Sequence, residues 1–162
     1  MKPSTLREKT CFFTGHRDIP RERYPEVGAK LQAAVECLIG GGVRYFASGA
    51  AIGFDTLAAL TILKLKQQYP HIRLILILPC EDHDHIWLGE DKSLFEKIKD
   101  RADKVVYTSE RYHSGCMNKR SRVMAENSGW VICYVERPTG GAAYAVNYAK
   151  SMGVEVLNLA AE

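Results

Sequence analysis

The chain has 162 residues, 46% hydrophobic and 25% charged, with a formal net charge of +3. These are the proportions of one ordinary globular domain spanning residues 1–162, with no composition shift that marks a linker. The longest apolar run, Leu74 to Pro79, is too short to cross a bilayer, and the polar start Met1 to Thr10 has no signal-peptide pattern, so no membrane partner and a cytoplasmic location are expected.

In chain order, strand-like apolar runs alternate with helical spacings. Thr10 to Thr14 is a short β-rich run, and Tyr24 to Ile39 has helical spacing that Gly40-Gly41-Gly42 stops. Arg44 to Ser48 reads as a strand and Phe54 to Gln68 as a helix that stops near Pro70. Leu74 to Leu78 is almost entirely branched aliphatic, as a strand buried on both faces should be. A polar stretch, Glu81 to Asp91, leads to a helix near Lys92 to Arg101 and a strand at Lys104 to Tyr107. A helix at Met117 to Asn127, a strand at Trp130 to Tyr134, a helix at Ala142 to Ser151 and a strand at Val154 to Leu159 complete the pattern. The alternation predicts an α/β, three-layer, Rossmann-like domain with a mainly parallel sheet of five to six strands.

In such sheets ligands bind beyond the carboxyl ends of the strands. The segments at those ends are therefore the candidate site. Thr14-Gly15-His16-Arg17 combines a glycine that permits close approach, an imidazole and a planar cationic fork. Ser48 to Asp55, with Gly49 and Gly53, joins a strand to a helix start, where exposed N–H groups suit an anion. Asp55 either caps that helix or meets a ribose hydroxyl. Thr139-Gly140-Gly141 is a second glycine-rich helix start. On the helix from Met117, spacing alone does not decide whether Arg120 or Arg122 faces the ligand.

Other chemistry is thinly represented. Five cysteines are widely spaced, with no Cys-x-x-Cys, which predicts buried thiols rather than a disulfide framework or zinc site. Glu81-Asp82-His83-Asp84-His85 has carboxylates and imidazoles, but its alternation suits a solvated loop, so no metal is expected. No Gly-x-Ser-x-Gly elbow or catalytic triad can be drawn. Glu136, after the fifth strand, is the one carboxylate singled out as a catalytic candidate.

Together, TGHR, SGAAIGFD, the strand-closing Pro79, Trp87, RYHSGCMNKRSRVM and GGAAYAVNYA resemble the SLOG superfamily, and within it the YpsA-like branch, over about residues 10–159. SGAAIGFD is similar to the pattern of the DNA-processing DprA proteins at Ser48, Gly49, Ala51, Gly53 and Asp55. Met117, Arg120 and Met124 resemble the Met-x-x-Arg-x-x-x-Met helix of the Lonely Guy phosphoribohydrolases, which implies that Arg120 is the ligand-facing arginine. Those enzymes carry a glutamate after their glycine pair. Here alanines follow Gly141, and no glutamate occurs through Ser151.

The first expectation is therefore a sensor or regulatory domain for a phosphate-bearing, nucleotide-derived small molecule such as ADP-ribose or NAD. No cofactor beyond that ligand is implied, and a homo-oligomer is left open. The expected binding residues are Gly15, His16, Arg17, Ser48, Gly49, Gly53, Asp55, Arg120, Thr139, Gly140 and Gly141. Nucleotide N-glycosidase activity is the alternative. DprA-like binding of single-stranded DNA ranks third, because the weak net charge gives no evident basic stripe, and nucleic acid is not the expected partner.

Overall fold

The computed structural model describes residues 5–81 and 89–160. Six strands form one sheet: β1 Thr10–Gly15, β2 Tyr45–Ser48, β3 Arg73–Leu78, β4 Lys104–Tyr107, β5 Trp130–Tyr134 and β6 Glu155–Asn158. Five α-helices connect them: α1 Tyr24–Gly40, α2 Phe54–Leu65, α3 Gly89–Arg101, α4 Cys116–Glu126 and α5 Gly141–Ser151. Short 3-10 turns at Arg7–Lys9 and Arg21–Arg23 precede β1 and α1.

Every strand pairing is parallel, in the order β4-β3-β2-β1-β5-β6. The mainly parallel sheet expected from the sequence is thus all parallel, in a three-layer α/β fold. The first four strands step outward from β1 in one direction, and the chain then returns to place β5 on the other side of β1. The gap between the β1 and β5 ends is the topological switch point, where open α/β sheets bind ligands.

The two sheet faces hold separate cores. One joins α1, α2 and α3 to Phe13, Phe46, Leu74 and Leu76. The other joins α4 and α5 to Phe12, Ala47, Val131 and Cys133. Alternation within each strand produces this division, since neighbouring side chains point to opposite faces. Phe12 and Phe13 are both fully buried, one on each side, and burying each contributes about 2–3 kcal/mol. Small residues on α5 (Ala145 and Ala149, both fully buried) let the helix sit close over β1 and β5.

Element ends differ from the sequence reading by a few residues. α3 starts at Gly89 rather than near Lys92, and α2 ends at Leu65 rather than Gln68. Beyond α2, the Gln67 and Gln68 N–H groups donate to the carbonyls of Lys64 and Leu65, tightening the last turn ahead of Pro70. No helix among the described residues is long and apolar enough to cross a membrane. All five cysteines are free; Cys11, Cys80, Cys116 and Cys133 are buried and Cys37 is exposed.

Candidate functional site

The β2–α2 turn is built around a hydroxyl. Ala50 lies at φ 53°, a left-handed conformation that costs a non-glycine residue roughly 1–2 kcal/mol. Ser48, fully buried, holds it there: Oγ accepts the Ala50 N–H at 3.0 Å and donates to the Asp55 carbonyl at 2.9 Å. Ser48 is therefore a turn-forming residue whose hydrogen bonds are spent inside the protein.

The glycines of this region serve packing. A Cβ at Gly15 would lie 2.6 Å from the Phe54 ring. Gly53 has φ +93°, and a Cβ there would meet the His16 and Arg17 backbone at 2.6–2.7 Å. This close approach allows the Phe54 N–H to donate to the His16 carbonyl at 3.1 Å. A Cβ at Gly49 would strike the Arg120 guanidinium, with Cζ only 2.7 Å away. These three glycines admit neighbouring protein groups.

Arg120 and Asp55 lie beneath the turn, 7% and 5% exposed. Arg120 Nη1 donates to the Gly49 carbonyl at 3.1 Å and to the Ile77 carbonyl at 3.4 Å. Its Nε and the Asp55 Oδ1 are buried without a hydrogen-bond partner. Burial pushes the Asp55 carboxyl up to about 6, against the opposing charges of Arg120 and Arg17 and the Ala51 and Gly15 backbone N–H groups. Burial likewise pulls Arg120 down, with Asp55 opposing. Arg17 is exposed above the pair, near enough for its charge to act on both. Arg122 turns outward and donates to the Tyr144 hydroxyl at 3.0 Å, whereas Arg120 turns inward, beneath the turn.

His16 ties this knot to the β5 end across the switch point. Its Nε2 accepts the Glu136 N–H at 2.8 Å and, more weakly, the Arg137 N–H at 3.4 Å. An Nε2 that accepts cannot carry a proton, so the ring is neutral with its hydrogen on Nδ1. Burial lowers its pKa and Arg137 reinforces the shift, in keeping with that geometry.

Thr139, Gly140 and Gly141 stand apart from the knot and are exposed. Gly140, at φ 105°, opens α5 with no side-chain cap, and a Cβ at Gly140 or Gly141 would meet nothing within 4 Å. The Cβ positions of this pair at the start of α5 are thus open, unlike those of Gly15, Gly49 and Gly53.

Glu136 is occupied. Its Oε1 accepts the Tyr134 hydroxyl at 2.7 Å and lies 3.4 Å from Arg23 Nη1, while the Arg23 guanidinium sits over the Tyr134 ring. The sequence reading missed Tyr134 and Arg23, because neither belongs to a glycine-rich segment. Nearby, both Nη atoms of Arg137 clasp Asp18, a hydrogen-bonded fork that holds its carboxyl down to about 2.

A further polar pairing that the sequence did not suggest lies in the β4–α4 loop. Ser109 Oγ lies 2.8 Å from His113 Nε2, whose Nδ1 is 2.9 Å from the Ser114 carbonyl, on an exposed loop. Among the described residues no cluster of three or more potential metal ligands occurs. Residues 82–88, which include His83, His85 and Trp87, lie outside the described residues.

Known proteins share this architecture. The chain is 27% identical over 134 residues to the SPbeta prophage-derived protein YoqJ of Bacillus subtilis, covering 75% of this chain and 78% of that protein. A UPF0398 protein of Halalkalibacterium halodurans is 28% identical over 146 residues, covering 88% and 75%. Among solved structures, DNA processing protein A of Streptococcus pneumoniae superposes with a TM-score of 0.64 at 18% identity, over 93% of this chain and 50% of that one. The Helicobacter pylori protein of the same name, in a structure addressing its single-stranded DNA binding mode, gives 0.65 at 17% identity, over 91% and 63%. This chain therefore spans about half to two thirds of those two proteins. The likeness establishes the fold. It also overturns the expectation against nucleic acid, which rested on weak net charge alone, since a protein of this fold has a single-stranded DNA binding mode. The YpsA family model matches residues 13–156, and the chain belongs to the YspA SLOG family.

Proposed function

We infer that this chain binds a phosphate-bearing, nucleotide-derived small molecule in the crevice between the β1 and β5 ends, as a sensor or regulatory domain. The observation that carries this reading is the uncapped start of α5, with open space in front of Gly140 and Gly141 at the switch point. Backbone N–H groups and the helix dipole stabilise an anion there. Arg17 supplies a cation from the β1 side, and the neutral His16 fixes the loop that carries the glycines. Arg120 acts from below, holding the β2–α2 turn and adding positive potential. Binding is favoured over N-glycosidic cleavage because Glu136 is engaged by Tyr134 and Arg23 and Asp55 is sealed from the crevice. Calorimetric titration with ADP-ribose, NAD and nucleoside monophosphates tests this reading. Saturable binding that Arg17→Ala weakens supports it; heat only of dilution from every ligand refutes it.

A second reading, single-stranded DNA, is favoured by Tyr112. It is 60% exposed beside Arg111 in the β4–α4 loop, at the same carboxyl edge as Arg17. An exposed aromatic next to cations is a stacking platform for bases. Fluorescence anisotropy with a labelled oligonucleotide distinguishes the readings. Binding that weakens steeply with salt and is lost in Tyr112→Ala selects DNA.

A further inference from the structure

A parallel sheet is normally covered by helices on both faces. Here α1, α2 and α3 cover one face, whereas among the described residues α4 and α5 serve the other, which leaves β3 and β4 uncovered by any described helix beside α4. The result is a groove of about 660 Å³, floored by Tyr45, Ala47, Ile75, Ile77 and Val106 and walled by Val123 of α4. Tyr45, Ile75 and Val106 are only partly buried, although their neighbours on the opposite face, Phe46, Leu74 and Leu76, are fully buried. Leu6, 68% exposed, stands at the groove's lip.

The charges at the groove suggest its occupant. Lys104 opens β4 on one rim, and Glu126 closes α4 on the other, where the Arg7 guanidinium is already held by the Ser128 and Met152 carbonyls. Both lie at the amino end of the sheet, since β4 begins there and α4 runs back antiparallel to the strands. Lys104 has no ion-pair partner among the described residues. Glu126 carries its charge at the surface while accepting the Tyr148 hydroxyl. A two-fold axis along the groove would exchange the rims and keep the ends, setting each copy's Lys104 opposite the other's Glu126. An apolar floor between opposite charges on its two rims is complementary to itself, as an isologous interface requires.

We propose that this bare sheet face binds a second copy of the chain, with paired Lys104–Glu126 contacts at its rims and Leu6 of each copy seated against the other's groove. The interface lies away from the carboxyl-edge crevice and does not depend on what binds there.

The test is the solution mass of the full chain by light scattering, with circular dichroism as the folding control. Wild type should have the mass of two chains. Ile75→Asp should have the mass of one. Lys104→Glu and Glu126→Lys, both surface changes compatible with folding, should each shift the chain toward one-chain mass. The double exchange, Lys104→Glu with Glu126→Lys, should restore two-chain mass, a rescue that only a partner carrying the same two residues can give. A wild-type monomer at every concentration overturns the proposal, whatever other protein or small apolar molecule then occupies the groove. So does a dimer that survives Ile75→Asp, and so does a double exchange that stays monomeric.

Discussion

Replacing Gly49 with alanine should destabilise the protein through Arg120. The added methyl would collide with the guanidinium, whose Cζ lies 2.7 Å from the new Cβ position. Arg120 cannot move without giving up its hydrogen bonds to the carbonyls of Gly49 and Ile77 at 3.1 and 3.4 Å. A hydrogen bond to a charged group contributes about 1.5–3 kcal/mol, and the second bond is long, so the expected cost is about 3–4 kcal/mol. Gly49 has no positive φ that would itself penalise a side chain. The cost should therefore largely disappear in an Arg120→Ala background, leaving only the 3.1 Å approach to Asp55 Oδ2. Urea unfolding of the two single variants and the double variant gives the coupling energy, expected at roughly 2–3 kcal/mol. Additive costs would show that Gly49 does not serve Arg120 and that the turn is held in some other way.

Asp55→Asn should alter the pH dependence of stability. With a native value near 6 against an ordinary 3.8, the folded protein keeps this proton while the unfolded chain releases it. The contribution is thus full below the ordinary value and is lost as pH rises through about 6, amounting to about 3 kcal/mol. Unfolding titrations across that window should show the decline in wild type and its absence in the asparagine variant. Arg17→Ala should weaken nucleotide binding about tenfold or more while leaving the melting temperature almost unchanged, as losing one exposed charge-assisted hydrogen bond predicts. Nitrogen NMR should find His16 neutral at neutral pH, with its proton on Nδ1; a proton on Nε2 would contradict its hydrogen bonds to Glu136 and Arg137.

The order and type of the elements were readable because each apolar run carries its own period. The helical spacing of Val27, Leu31 and Val35 falls on buried positions, and the branched run at Leu74 to Leu78 is a strand, although its Ile75 is only partly buried rather than covered on both faces as the run implied. The strand order was not readable, since pairing β5 with β1 is a long-range choice that no local pattern encodes. The same holds for the glycines. Sequence marks Gly15, Gly49, Gly53, Gly140 and Gly141 alike as places of close approach or unusual backbone, but not what approaches. The structure separates them: Phe54, Arg120 and the His16–Arg17 backbone fill the first three, while the α5 pair faces open space. The Arg23–Tyr134–Glu136 contact was hidden for a related reason, since Arg23 lies 113 residues from Glu136 in the chain. The spacing of Met117, Arg120 and Met124, a family pattern rather than a physical period, singled out Arg120 as ligand-facing but did not foretell its burial beneath the β2–α2 turn.

The central claim is that α5 begins at the ligand. Backbone amide NMR, with ADP-ribose titrated into the labelled full chain, tests it most directly. The account predicts that the Gly140, Gly141 and Ala142 amides shift first and furthest, followed by Arg17, while residues around Tyr45 and Ile75 stay still. Saturable binding that leaves the Gly140 to Ala142 amides unmoved would contradict it.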